Sequence, residues 1–312
     1  MNIENLIENA LIKNLIYTLP KHKFSEIYHY ALLPGGKFFR PKLIWAILKD
    51  FESESYSTSL VNNKSPHSLL ASAIECHHAY SLIHDDLPSM DNDSIRRGKA
   101  STHIAFGEWQ AILAGDGLLN LSYELILKIP HPNTLLLLKL FSWSVGPKGL
   151  IQGQVLDLSL EMNLSFENLL QTHELKTARL IQISILGSYL LTNKNDYKIK
   201  KNLWKFGRLL GVIFQLLDDL TELTEKTLQV HELNVNPWIS NTLKVENFLI
   251  QALFQFKKLK NMLNLKETNL IVENYFDEII KKINENQSNI LIHLNGKIQL
   301  TQLLHNLNNF RN

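Results

Sequence analysis

The chain is short of turn formers, with 13 glycines and 9 prolines in 312 residues. Scarce Gly and Pro leave little local punctuation, which predicts a helical protein with few tight turns. Cysteine occurs once, at Cys76. An intrachain disulfide is therefore excluded, as suits a reducing compartment. Neither charge is in excess, and the net charge of +2 at pH 7 argues against a nucleic-acid footprint, which needs a clustered basic surface. Long apolar runs are also missing. The stretch from Leu180 to Leu191 is broken by Gln182, Ser184 and Ser188, and is too short to span a bilayer. The start, Met1-Asn2-Ile3-Glu4-Asn5, lacks the basic residues and apolar run of a signal peptide. The expectation is a cytoplasmic protein with no membrane span.

What is present is an ordinary globular composition, 45% apolar and 20% charged. Apolar positions recur at helical spacing almost everywhere, and alternating strand-like runs bounded by Asn-Gly or Asp-Gly are missing. Leu6, Leu11, Leu15 and Leu19 begin one amphipathic helix, ended by Pro20. A long helix is predicted over 65–87, with Pro66 at its start and Pro88 just past its end. Further helices are predicted at 109–127, 133–145, 165–192 and 200–224, with weaker ones at 244–263, 270–284 and 301–310. The Asn-rich stretch 284–289 reads as surface turns. No repeat, linker or composition break divides the chain, so one all-α domain over residues 1–312 is expected.

Two acid-rich segments stand out: Asp85-Asp86-Leu87-Pro88-Ser89-Met90-Asp91 and Asp218-Asp219-Leu220-Thr221-Glu222. Each follows an apolar, helix-spaced stretch, so the carboxylates fall at the end or on the face of a buried helix. Desolvation disfavours charge there, and a cation must compensate. Hard oxygen ligands suit Mg²⁺, which keeps several waters and shares its shell with substrate phosphates. Glu75, His78, Leu82 and Asp85 share one helix stripe, as do Gly211, Gln215, Asp218 and Glu222. Beyond the break at Pro88 the chain can fold back to bring Asp91 toward Asp85. Basic groups accompany the acids: Lys37 and Arg40 behind Gly35-Gly36, and Arg96-Arg97-Gly98 five residues after Asp91. Arg offers a bidentate fork to phosphate and Lys a point charge. Acids for a metal-bound diphosphate and bases for a metal-free one imply that two diphosphates are joined.

Taken singly, these residues have ordinary readings. Lys37 and Arg40 suit a solvated helix start, His78 a core histidine, Gln215 a buried amide, and Tyr80 core packing. Their order overturns those readings. Gly35-Gly36-Lys37 with Arg40-Pro41, Glu75 to Pro88, Arg96-Arg97-Gly98, Ala114-Gly115-Asp116, Gly153-Gln154 with Asp157, Lys176-Thr177, and Phe214-Gln215 with Asp218-Asp219 occur in the order seen in trans-isoprenyl diphosphate synthases. The chain resembles the bacterial farnesyl diphosphate synthase branch over about residues 30–224, and the four residues between Asp86 and Asp91 belong to that branch's first aspartate-rich motif.

The resemblance implies an all-α bundle around a central cavity, a homodimer, and Mg²⁺-dependent transfer of an allylic group to isopentenyl diphosphate. It implies isopentenyl diphosphate at Lys37, Arg40, His78 and Arg97. The allylic diphosphate falls to Arg96, Lys176, Thr177 and Gln215, the last three also assisting catalysis. Two or three Mg²⁺ ions fall to Asp85, Asp91 and Asp218, helped by Asp86 and Glu222. Tyr80, five residues before Asp85, faces the tunnel that sets product length, and a ring there stops growth near fifteen carbons.

Three departures are visible. Glu222 stands where the family has Asp, and Phe38 where it usually has Arg. No lysine occupies Leu233-Asn234-Val235-Asn236-Pro237-Trp238, where the family carries one for the allylic diphosphate; Lys226 is the nearest substitute. Other readings therefore stay open: a synthase releasing geranyl or geranylgeranyl diphosphate, a non-catalytic partner subunit, or an HD-type metal phosphohydrolase using His77, His78, His84, Asp85 and Asp86.

Overall fold

The structure is a computed structural model that describes residues 3–33, 36–226, 228 and 235–309. Its elements, in chain order, are α1 (Ile3–Thr18), α2 (Ser25–Leu32), α3 (Phe39–Phe51), α4 (Ser53–Val61) and α5 (Pro66–Asp85). A hairpin of β1 (Ile95–Arg96) and β2 (Lys99–Ala100) follows. Then come α6 (Thr102–Phe106), α7 (Glu108–Leu127), α8 (Thr134–Val145), α9 (Leu150–Leu158), α10 (Phe166–His173) and α11 (Arg179–Leu190). The rest is α12 (Tyr197–Glu222), α13 (Pro237–Leu263), α14 (Lys266–Glu285), α15 (Gln287–His293) and α16 (Leu300–Asn309). Among the described residues no helix is long and apolar enough to cross a membrane.

The described residues divide into two compact units, Met1–Ser142 with Gly187–Asn195, and Trp143–Leu186 with Asp196–Asn312. In the first, α5 is the axis: it packs on α7 and is flanked by α3, α1, α2 and α4. Its sequence explains its place. Ser65 caps the N-terminus by accepting from the Ser68 amide at 3.3 Å, and Pro66 supplies a preset φ where no N–H is needed. Apolar or small residues then surround the helix, so that Leu70, Ala73, Ile74 and Cys76 are wholly buried. In the second unit, α12 holds the equivalent place, packed against α13, α14 and the segment before α11. Its buried stripe includes Leu203, Phe206, Leu210, Ile213 and Leu217.

The structure adds helices that the sequence reading did not name, α2, α3, α4, α6 and α9, and departs from it in three further places. The chain between 165 and 192 is helical throughout, but Glu174–Ala178 is one π-turn. Asn284 and Glu285 still belong to α14, and α15 begins at Gln287, so the expected turns shrink to a break at Asn286. The β1–β2 hairpin was not foreseen. Arg97 (φ +53°) and Gly98 (φ +75°) form its corner, the two positive φ values that a two-residue hairpin turn requires.

Candidate active site

In the first unit α5 ends on Asp85, and the chain turns back so that the Asp91 amide donates to the Asp85 carbonyl at 2.9 Å. The expected fold-back is present. The three aspartates are not equivalent. Asp85 is half-buried, Asp91 exposed, and Asp86 is 3% exposed. Arg96 Nε donates to Asp86 Oδ1 at 2.8 Å, and Arg96 Nη2 reaches Asp93 Oδ2 at 2.6 Å. Burial raises the Asp86 pKa, opposed by Arg96. For Arg96, burial works against the charge but the Asp86 carboxylate outweighs it, and its pKa is raised. Asp86 therefore holds Arg96 in place. The hairpin that carries Arg96 is itself pinned, since Tyr30 Oη donates to the Ala100 carbonyl at 2.7 Å and Lys99 Nζ to those of Tyr30 and Leu33.

Beside these acids lies a basic cluster. Arg97 extends over Gly36, where an added Cβ would stand 3.2 Å from the guanidinium carbon, so a side chain there would push the Arg97 tip aside by a few tenths of an ångström. Arg40, at the start of α3, is drawn down in pKa first by burial, with Glu75 opposing and Arg97 adding to the shift. Glu75 is raised by burial against the pull of Arg40 and Arg97. His78 is held well below its usual pKa by burial and then by Arg40 and Arg97, so its ring is neutral. Arg40 Nε has no hydrogen-bond partner. Cations crowded beyond what Glu75 neutralises, with an unused donor, form a receptor for an anion. Lys37 is exposed, and Gly35 lies outside the described residues. Phe38 is buried with φ +48° and starts α3.

The histidines required by a phosphohydrolase are spent elsewhere. His77 is buried edge-on against Tyr80 and Phe141, and His84 Nε2 lies 3.1 Å from the Ile112 carbonyl. Tyr80 is half-buried between the rings of His77 and His84.

The second unit carries the other acid motif. The π-turn widens the helix where Lys176 and Thr177 sit, a distortion found at functional positions. It is tightly packed: a Cβ on Gly153 would come within 2.4 Å of the Lys176 backbone nitrogen. Lys176 pairs with Asp157, a residue of the Gly153-Gln154 motif. Thr177 Oγ1 donates to Gln215 Oε1 at 2.8 Å, and Gln215 Nε2 to Asp219 Oδ1 at 2.8 Å. Asp219 Oδ2 lies 3.2 Å from His173 Nε2. Asn236 Nδ2 reaches the Asp219 carbonyl at 2.7 Å and Glu222 Oε2 at 3.0 Å. Tyr275 stacks on Phe214 with centroids 4.5 Å apart, and its hydroxyl pKa is pushed well up by burial and by Asp218 and Asp219.

Lys176, Thr177, Gln215, Asp218 and Glu222 thus belong to one unit, and Lys37, Arg40, His78, Tyr80, Asp85, Asp86, Asp91, Arg96 and Arg97 to the other. Asp219, His173, Asn236 and Tyr275 were missed as site residues. Asp219 stood in the second acid motif without a role of its own, and Asn236-Pro237 is a helix-cap pair; His173 and Tyr275 left no signal in the sequence. Lys226 is exposed; Leu233 and Asn234 lie outside the described residues. Among the described residues no group of three or more His, Cys, Asp or Glu forms a complete metal cage. Mg²⁺ does not need one, since it takes one or two carboxylates with water and substrate phosphate. The carboxylates of the first unit, Asp85 and Asp91, and those of the second, Asp218 and Glu222, are oxygen donors of the kind it takes.

Comparison with known proteins agrees. The farnesyl diphosphate synthase of Geobacillus stearothermophilus is 35% identical over 223 residues, covering 70% of this chain and 72% of that one. The chloroplastic geranylgeranyl pyrophosphate synthase of Capsicum annuum is 35% identical over 228 residues, 71% of this chain and 58% of its own. The crystal structure of geranyltransferase from Helicobacter pylori, complexed with magnesium and isoprenyl diphosphate, superposes with a TM-score of 0.71 at 29% identity, covering 89% of this chain and 98% of that one. Residues 21–232 match the polyprenyl synthetase family, and the chain belongs to it.

Proposed function

We propose that the chain joins isopentenyl diphosphate to dimethylallyl and then geranyl diphosphate, giving farnesyl diphosphate, and that its full length works as one synthase domain. The observation that carries this reading is the sorting of charge along α5. His78 belongs to a cation cluster that can take a bare diphosphate, and Asp85, two turns on, opens a carboxylate motif suited to a metal-bound one.

Asp85, Asp91, Asp218 and Glu222 are the residues to hold two or three Mg²⁺ ions with the allylic diphosphate. Bound there, Mg²⁺ neutralises charge on the leaving diphosphate. Lys176 adds a cation for the same group, its ammonium held by Asp157. Arg96 is oriented by Asp86 and Asp93 toward that role. Lys37, Arg40, Arg97 and neutral His78 bind isopentenyl diphosphate without metal. Thr177 and Gln215 present oxygen dipoles that stabilise an allylic cation, and their mutual hydrogen bond fixes the direction of those dipoles. Loss of a proton from the coupled product completes the reaction, and no side-chain nucleophile is used. Tyr80 limits chain length. We further propose a homodimer working in the cytoplasm, as the lone cysteine and the family suggest.

The test is direct. The purified protein is incubated with Mg²⁺, isopentenyl diphosphate and each allylic diphosphate, and products are resolved by length. Farnesyl diphosphate is expected. Absence of any prenyl product sinks the catalytic reading in favour of a partner subunit. A geranylgeranyl product, as the identity to the Capsicum enzyme allows, moves the length limit away from Tyr80.

A further inference from the structure

Glu222 is one methylene longer than aspartate, so its carboxylate has more rotamer freedom to lose when it binds a cation. The structure shows what restrains it. One amide, Asn236 Nδ2, donates to Glu222 Oε2 and to the Asp219 carbonyl, at 3.0 and 2.7 Å. Both acceptors lie at the C-terminal end of α12, so a single side chain ties the backbone of the second acid motif to its last carboxylate.

Asn236 is held from its other side too. It is 1% exposed, and its Oδ1 accepts from the Trp238 amide at 3.0 Å, capping α13. Trp238, fully buried, anchors this cap by donating Nε1 to the Leu216 carbonyl at 2.6 Å. The Asn-Pro-Trp corner thus grips α12 at Leu216, Asp219 and Glu222, along the helix that carries the motif. A group gripped in this way loses little further freedom when it takes up a ligand.

We propose that Asn236 is a positioning residue, which presets the Glu222 carboxylate to receive hydrated Mg²⁺ and so offsets the longer side chain. This rests on the reading of the chain as a Mg²⁺-dependent diphosphate enzyme. It does not require that Asn236 touch substrate.

Serine caps a helix about as well as asparagine but is too short to reach Glu222, so Asn236→Ser separates the clamp from the cap. The measurement is calorimetric titration of inorganic pyrophosphate into the full chain over a series of Mg²⁺ concentrations, with thermal unfolding in parallel. Asn236→Ser is expected to raise the Mg²⁺ concentration needed for half-maximal binding roughly tenfold, and to lower the unfolding temperature without Mg²⁺ equally in the wild-type and Glu222→Ala backgrounds, because the Asp219 carbonyl loses its Asn236 donor. In a Glu222→Ala background the same substitution adds nothing to the Mg²⁺ requirement. If the serine variant does not fold, Asn236→Thr also keeps a capping oxygen without a donor that reaches Glu222, and is expected to act in the same direction.

An unchanged Mg²⁺ dependence overturns the proposal, as does an equal shift in the Glu222→Ala background. Mg²⁺-dependent pyrophosphate binding that weakens in Asn236→Ser, without any prenyl product from the unmodified protein, would leave the clamp standing and remove prenyl transfer. Failure of the unmodified protein to bind pyrophosphate with Mg²⁺ overturns both.

Discussion

His173 Nε2 and Asp219 Oδ2 stand 3.2 Å apart, with both side chains less than a tenth exposed. The pair closes a chain of contacts that runs from Thr177 through Gln215 to Asp219. The contact has ion-pair distance but not hydrogen-bond geometry, since neither atom has a hydrogen-bond partner. Asp219 Oδ1 keeps its Gln215 donor whatever side chain stands at 173. His173→Phe is therefore expected to lower stability by no more than about 1 kcal/mol in urea unfolding. Turnover should change little, because the Thr177–Gln215–Asp219 hydrogen bonds remain.

Gly153 lies against the π-turn, and an added Cβ would meet the backbone of Leu175 and Lys176 at 2.8 and 2.4 Å. Backbone cannot move aside as a side-chain tip can. Gly153→Ala is expected to destabilise by roughly 1–3 kcal/mol through overpacking and to shift Lys176 and Thr177. Steady-state kinetics should show a higher KM for the allylic diphosphate, with the KM for isopentenyl diphosphate changed less.

Two buried histidines give the fold an acid limit. Burial lowers the pKa of His67 to about 4 and of His77 to about 3. The folded values lie below the unfolded value of about 6.5. Each neutral ring therefore adds stability above pH 6.5 that is lost as pH falls toward its folded pKa. The two differ in one respect: His67 Nε2 faces the Ser188 carbonyl at 3.1 Å, whereas neither nitrogen of His77 has a partner. His77→Phe is thus expected to raise stability at pH 7 by about 1 kcal/mol and to flatten its decline between pH 6.5 and 4. Urea midpoints at several pH values check this; an unchanged acid slope would contradict it.

Tyr80 packs edge-on against His77 at 4.9 Å and His84 at 5.2 Å, so its ring has a fixed orientation. Tyr80→Ala is expected to lengthen the product beyond fifteen carbons, read by chromatography of the dephosphorylated alcohols. An unaltered product distribution would remove Tyr80 from chain-length control.

Much of this was legible in the sequence because its signals are local. Ser65-Pro66 and Pro88 marked the ends of α5 to within a few residues, since capping and missing amides act over one turn. The Asp91 fold-back followed from Pro88. What stayed hidden depended on distant partners. Arg96-Arg97-Gly98 reads as a loop, and only the pairing of Ile95 with Ala100 makes it a hairpin corner. Glu174–Ala178 has no distinguishing composition; its π geometry accompanies close packing against Gly153. Asp219 looked like a bystander to Asp218 until burial and three neighbours gave it a structural task.

The sequence by itself determined the helical class, the two acid motifs and the bases that accompany them, because residue type and helical period decide which groups share a face. Only the tertiary structure decided which neighbours the carboxylates of these motifs meet. Those neighbours come from other segments of the chain: the Arg96 guanidinium for Asp86, the His173 ring beside Asp219, the Asn236 amide for Glu222. A carboxylate's charge is written in the sequence, but the partner that offsets the cost of burying it is not.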